Sequence, residues 1–127
     1  MTRRIERLVG IYDADGGAVG ELRYALRRLV GRTHCTLCDI THGTMREKAA
    51  WRTFRAGLPV PFDVVHLNER TEPVRQASAS GTPCVLAQAA GDLVLLLGPT
   101  DLDACAGDVS TFAGRLREAA LAADLTY

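Results

Sequence analysis

Four short apolar runs alternate with segments of helical periodicity, and this alternation restricts the fold more than any other feature of the chain. Each run is rich in leucine, valine or isoleucine, which is typical of buried β-strands. The predicted strands are Leu8–Tyr12, Phe62–Leu67, Thr82–Ala87 and Leu93–Leu97. A strand, helices and a second strand indicate a parallel βαβ unit, and the tight turn Ala90-Gly91-Asp92 indicates a closing hairpin.

Amphipathic patterns predict the helices between these strands. Apolar residues recur at helical spacing from Leu22, and Thr44 with Glu47 has the spacing of a capping box that would open the next helix. The predicted helices are Glu21–Val30, Met45–Gly57, Glu72–Ala79 and Leu102–Ala122. Because no linker or repeat interrupts the 127 residues, we expect one α/β domain over residues 1–127, with the first strand central in its sheet.

Charge and composition argue against several functional classes. Fifteen basic and fifteen acidic residues cancel, so no net field attracts nucleic acid or an anionic membrane. No apolar run approaches a membrane span, and the N-terminal residues lack the apolar region of a signal peptide. We therefore expect a cytoplasmic protein with neither nucleic-acid nor membrane partners. In a compartment that keeps thiols reduced, four cysteines point to redox chemistry, metal binding or burial.

The residues with the most chemical potential fall in one segment, His34-Cys35-Thr36-Leu37-Cys38-Asp39-Ile40-Thr41-His42. A CxxC pair holds a nucleophilic thiolate, here Cys35, beside a second thiol, Cys38, that can resolve a mixed disulfide. His34 would stabilise the Cys35 thiolate when protonated, and Asp39 would assist proton transfer. These four residues form the predicted catalytic set. It would act on a protein or small-molecule thiol or disulfide and would need no cofactor.

Metal binding is an alternative use of the same segment. Cys35, Cys38 and His42 offer two thiolates and an imidazole, which suit zinc, iron or copper. The chain has no second CxxC, so it lacks the second knuckle of a typical structural zinc site, although three protein ligands with an open position remain consistent. A third alternative is a non-catalytic adaptor in which the cysteines are inert.

Other polar and sulfur-containing positions have a structural and a functional interpretation. Asp13 and Asp15 follow the first strand, where open α/β sheets bind ligands, but they also suit an ordinary Asx turn. Cys84 is either a third thiol near the CxxC pair or a small apolar strand residue. Cys105 is expected to be a packing residue, and His66 is expected to be a satisfied histidine of the core or of the sheet edge.

The order of elements resembles the thioredoxin-like fold. The likeness runs from about Leu8 to Leu121 and includes the CxxC pair and Thr82-Pro83, which looks like the cis-proline loop opposite the active thiols. It implies a three-layer sandwich around a four-stranded mixed sheet, with Thr82, Pro83 and Cys84 at the substrate.

Two features depart from the family. A helix is inserted after the first strand, and His34 replaces the tryptophan that usually precedes the first cysteine. The CxxC segment, with the following Gly43, is also similar to an HCxLCDITHG segment of short bacterial proteins to which no activity is attached.

The position of the thiols can be predicted from the lengths of these elements. If the capping box at Thr44 opens the next helix, Cys35 and Cys38 lie on a loop and lose the helix-dipole effect on a thiol pKa. A nine-residue extended segment spans roughly 30 Å. We therefore expect His34–His42 to run back along the sheet and to place one thiol in contact with Pro83, in a cleft shared with Asp13 and Asp15.

Overall fold

The computed structural model describes residues 2–13, 36–42 and 48–127. The predicted helix Glu21–Val30 and the capping box at Thr44 and Glu47 lie outside these ranges. The strands are β1 (Arg3–Arg4), β2 (Arg7–Ile11), β3 (Phe62–Val65), β4 (Cys84–Ala89), β5 (Asp92–Leu97) and β6 (Leu125–Thr126). The helices are α1 (Thr36–Thr41), α2 (Ala49–Gly57), α3 (Glu72–Ala77), α4 (Pro99–Ala104) and α5 (Val109–Ala122), with a 3-10 turn at Leu67–Glu69.

Four strands form one mixed sheet in the order β3-β2-β4-β5. Strand β2 runs parallel to β3 and antiparallel to β4, and β4 and β5 form an antiparallel hairpin. The predicted mixed sheet, its central first strand and its closing hairpin are therefore confirmed. Ala90 and Gly91 turn the hairpin with φ of 52° and 82°. Strands β1 and β6 form a separate parallel pair, which is too short to give a recognisable sequence pattern.

The larger part of the core lies on one face of this sheet. Trp51 of α2 is 0% exposed and packs edge-on against Phe62, with ring centres 4.9 Å apart, and against Phe112, 5.8 Å away. Such edge-to-face contacts add to the stabilisation from burying apolar area. The aromatic group joins α2, β3 and α5 over the face of β2 that carries Leu8.

Helix α1 approaches this face closely because residue 10 has no side chain. A Cβ atom at Gly10 would lie 2.9 Å from Phe62 Cε1 and 3.3 Å from Leu37 Cδ2. Both distances are shorter than an ordinary van der Waals contact. Gly10 therefore leaves the space that Leu37 of α1 and Phe62 of β3 occupy.

The opposite face of the sheet has its own apolar cluster. Val9 and Ile11 of β2 pack there with Cys84 and Leu86 of β4 and with Val74 of α3. Because side chains alternate along a strand, β2 buries residues on both faces, as expected for a central strand.

The CxxC segment differs from the sequence prediction. It was expected to be an extended loop, but Thr36–Thr41 forms α1 and Cys38 lies inside that helix. Lys48 has an extended backbone (φ −68°, ψ 141°), so the next helix begins at Ala49 rather than at Met45. The expectation failed because the six described residues of α1 are too few for their periodicity to be recognised, and the packing partner at Gly10 is distant in sequence.

The last predicted helix, Leu102–Ala122, is also wrong as a single element. It is divided into α4 and α5 by a turn in which Ala106 and Gly107 have φ of 51° and 75°. Asp108 then caps α5, because its carboxylate accepts a hydrogen bond from the Thr111 N–H at 2.9 Å. No helix within the described ranges is long and apolar enough to cross a membrane.

Candidate functional site

Several polar residues meet at the carboxyl end of the parallel strands. Tyr12 and Asp13 follow β2, and His66 follows β3. Thr82 and Pro83 precede the antiparallel strand β4, so they lie at the same end of the sheet. The peptide bond between them is cis, as the resemblance implied. Thr82 Oγ1 donates a hydrogen bond to Asp13 Oδ1 at 2.9 Å, which joins the two segments directly.

A closed triangle of hydrogen-bonding groups links Tyr12 to the end of α1. The Tyr12 hydroxyl lies 2.7 Å from Thr41 Oγ1 and 3.2 Å from His42 Nδ1, and the last two atoms are 2.7 Å apart. One arrangement satisfies all three groups: Tyr12 donates to Thr41, and Thr41 donates to Nδ1. In the neutral ring, the proton of His42 would then be on Nε2.

Cys38 belongs to the same group of residues. The His42 N–H donates to the Cys38 carbonyl at 2.7 Å, so the two residues are one helical turn apart and on the same face of the helix. The Cys38 side chain is only 7% exposed. It therefore lies at the inner side of α1, next to residues that bond to the end of β2.

The contacts connect α1 with the cis-proline loop. From Thr41 they pass to Tyr12, and from the adjacent Asp13 to Thr82. The end of α1 and the Thr82–Pro83 loop therefore occupy the same end of the sheet. Direct contact between a thiol and Pro83 stays a prediction.

Not every predicted site residue falls in the described ranges. His34, Cys35 and Asp15 lie outside them, and Asp39 is placed only as a residue of α1. Of the alternative metal ligands, Cys38 and His42 are one turn apart, while Cys35 lies outside. Within the described part of the chain, no three His, Cys, Asp or Glu residues are grouped closely enough to hold a metal ion.

The other two cysteines are buried thiols. Cys84 is fully buried where β4 pairs with β2, and desolvation raises the pKa of its thiol to about 11 against a weaker opposing effect of the Arg70 charge. Burial also raises the pKa of Cys105, whose Sγ donates to the Asp101 carbonyl at 3.4 Å. Both thiols stay protonated at neutral pH, which suits packing better than nucleophilic attack.

The raised pKa of Cys84 predicts a loss of stability in alkali. Above pH 9 the unfolded chain releases this thiol proton while the folded chain keeps it, so the free energy of unfolding should fall as pH rises. Between pH 9 and 11 the loss should approach about 2 kcal/mol. Urea denaturation across this range should show a flatter pH dependence in Cys84→Ala. Cys105→Ala should flatten the pH dependence of the free energy of unfolding less than Cys84→Ala does. If Cys84→Ala kept the pH dependence of the parent, the loss would not come from the Cys84 thiol.

Sequence reasoning missed the role of Tyr12 in this site. Tyr12 was taken only as the end of a strand, although a tyrosine there presents a polar tip at the ligand-binding end of the sheet. His66 was expected to be a satisfied histidine of the core or of the sheet edge. It is a hydrogen-bonded residue at the sheet edge: its backbone N–H and its Nδ1 lie 2.7 and 2.6 Å from Glu69 Oε1 and hold the pKa of Glu69 below its usual value. Its ring is edge-on to Tyr12, 5.2 Å away.

Comparison with known proteins adds no relative from which a role for these residues could be taken. The site is therefore defined by its own contacts, which join α1, the end of β2 and the cis-proline loop. No protein-family model matches the chain, and no match is found among curated proteins or solved structures.

Proposed function

We propose that the chain is a small thiol–disulfide oxidoreductase on a thioredoxin-like, three-layer fold, with Cys35 and Cys38 as its reactive pair. The fold proposal is supported by the parallel pair β2–β3, the antiparallel hairpin β4–β5 and the apolar clusters on both faces of the sheet. These features agree with the order of elements that the resemblance implies.

The contacts between α1 and the cis-proline loop carry the functional proposal. Thr41 bonds to Tyr12, and the adjacent Asp13 bonds to Thr82, so the CxxC helix and the loop share one end of the sheet. The described residues Thr36–Thr41 of the CxxC segment form a helix that contains Cys38, and in the resembled family the CxxC pair opens a helix. This position supports redox chemistry better than the loop that the sequence predicted.

The proposed reaction is a two-step exchange. The Cys35 thiolate attacks one sulfur of a substrate disulfide, the substrate S–S bond breaks, and one substrate thiolate leaves. The Cys38 thiolate then attacks Cys35 Sγ and releases the second substrate thiolate. Two electrons pass from the cysteine pair to the substrate, and the two cysteine protons end on the released thiols. The low exposure of Cys38 suits the resolving role.

Oxidised glutathione provides the test of this chemistry. Mass spectrometry of the protein incubated with it should find a disulfide between Cys35 and Cys38. Cys38→Ser should instead accumulate one glutathione on Cys35, because the resolving thiol is missing. Cys35→Ser should abolish catalysed reduction of insulin disulfides by dithiothreitol, and Cys105→Ser should keep it. Failure to form the Cys35–Cys38 disulfide, or full activity in Cys35→Ser, would rule out the proposal.

One observation favours a metal-binding function as the second candidate. Thr41 Oγ1 and the Tyr12 hydroxyl lie within hydrogen-bond distance of His42 Nδ1. In the tautomer that carries its proton on Nδ1, the ring would donate to one of these oxygens and turn Nε2 to the metal, as ligating imidazoles do. Cys35, Cys38 and His42 would then hold zinc, iron or copper. Elemental analysis of the protein used for the glutathione test separates the two functions.

The metal content and the redox result together select one function. One equivalent of metal that is lost in His42→Gln would support metal binding, and less than about a tenth of an equivalent would exclude it. If the protein also fails the glutathione test, the adaptor interpretation is favoured.

A further inference from the structure

A pocket of about 510 Å³ lies at the other end of the sheet. Ile5 and Glu6, which precede β2, and Pro61, which precedes β3, are among its lining residues. The Tyr12 group lies beyond the carboxyl end of β2, so the strand separates the two sites by roughly 15 Å. The pocket has the volume of a small-molecule site, for which about 300–1,000 Å³ is usual.

The apolar wall of this pocket is held in place by the fold. Ile5 and Val60 are buried side chains of the core. The Ile5 N–H donates to the Thr126 carbonyl at 2.7 Å, and the Pro61 carbonyl accepts from the Leu8 N–H at 2.9 Å. Because β6 and β2 fix the backbone on both sides, a ligand would lose little free energy in ordering this wall.

Arg3, Arg4 and Glu6 are the charged residues that line the pocket, and Arg4 is the arginine among them without an ion pair to a described residue. Glu6 Oε1 accepts the Ala90 N–H at 3.0 Å, and Arg3 Nη1 lies 3.2 Å from Asp92 Oδ2. Arg4 also lines the pocket and is exposed, and it makes no ion pair or side-chain hydrogen bond with the described residues. One guanidinium group is therefore available to an anion at the pocket.

We propose that this pocket binds an organic carboxylate with an apolar body. The apolar part would lie on Ile5, Val60 and Pro61, and the carboxylate would pair with Arg4, whose planar guanidinium suits two parallel hydrogen bonds. Cys38, Cys84 and Cys105, the cysteines in the described ranges, do not line the pocket. The site therefore goes beyond the proposed thiol chemistry and does not depend on it.

A nuclear magnetic resonance titration of the full chain with three probes tests the site. Benzoate supplies both the charge and the apolar body, benzamide is its neutral isostere, and inorganic phosphate is an anion without the body. Benzoate should give saturable shifts at the amides of Arg4, Ile5 and Val60. It should bind about tenfold more tightly than benzamide, as expected for one charged hydrogen-bonded pair. Phosphate should not saturate the same amides.

Matched variants decide which residue holds the carboxylate. Arg4→Gln should weaken benzoate binding about tenfold. Arg52→Gln, which changes an exposed arginine of α2 outside the pocket, and Cys38→Ser should leave binding unchanged. Equal binding of benzoate and benzamide, saturation by phosphate, or an Arg4→Gln variant that binds like the parent would overturn the proposal. Cys38→Ser lacks the proposed resolving thiol but keeps the pocket. A loss of benzoate binding is therefore distinguishable from a loss of the redox function.

Discussion

Replacing Trp51 with alanine should lower the free energy of unfolding by about 4 kcal/mol. The indole is 0% exposed, and its ring centre lies 4.9, 5.6 and 5.8 Å from those of Phe62, Phe54 and Phe112. The substitution removes the contact shared by α2, β3 and α5, and the aromatic rings around it cannot all move in to fill the cavity. Urea denaturation should show a lower midpoint with little change in slope.

Two further substitutions in the same helix calibrate this result. Trp51→Phe keeps one aromatic ring and should cost less than Trp51→Ala. Thr53→Ala, on an exposed position of α2, should change stability by no more than about 0.5 kcal/mol. A Trp51→Ala variant with a loss as small as that of Thr53→Ala would mean that the aromatic cluster does not hold these elements together.

Replacing Gly10 with valine should cost about 3 kcal/mol, because the new side chain enters space held by Phe62 and Leu37. Gly10→Ala adds only the Cβ and should cost about 1–2 kcal/mol. In both variants α1 should be pushed away from β2, so iodoacetamide should alkylate Cys38 faster than in the parent. Denaturation and peptide mass spectrometry measure the two effects.

Gly114 provides the matched control for Gly10. Apart from the backbone of α5 itself, no atom of the described residues lies within 4 Å of a Cβ built at Gly114, which is in the middle of that helix. Gly114→Ala should therefore stabilise the protein by about 0.5–1 kcal/mol and leave Cys38 alkylation unchanged. If Gly10→Ala behaved like Gly114→Ala, the close packing of α1 on the sheet would be wrong.

Local sequence patterns predicted much of the sheet but not the elements that depend on distant contacts. The turn at Ala90 and Gly91 and the alternation of strands with helices are local signals, so the hairpin and the parallel pair were predicted. Helix α1 has six residues and packs through Leu37 at Gly10, a partner far away in sequence. The break before α5 was missed because it depends on the positive φ of Ala106 and Gly107 and on the cap that Asp108 gives to the next helix.

The candidate site was predictable only where strand ends determine it. Asp13 and Thr82 were expected in one cleft because both adjoin the same end of the sheet, and a 2.9 Å hydrogen bond joins them. The triangle of Tyr12, Thr41 and His42 was not predictable, because it brings together residues about 30 positions apart through a helix that the sequence did not reveal.

Two contacts fix α1 on strand β2 and on the residue that follows it. Leu37 packs at the vacant position above Gly10, and Thr41 is bonded to Tyr12 one turn further along. A helix that is held at two points on a sheet can neither shift along the sheet nor rotate about its own axis unless one contact is lost. The six described residues of α1 have too few internal hydrogen bonds to keep their shape alone. The direction in which Cys38 faces is therefore set by strand β2 more than by the helix that carries it.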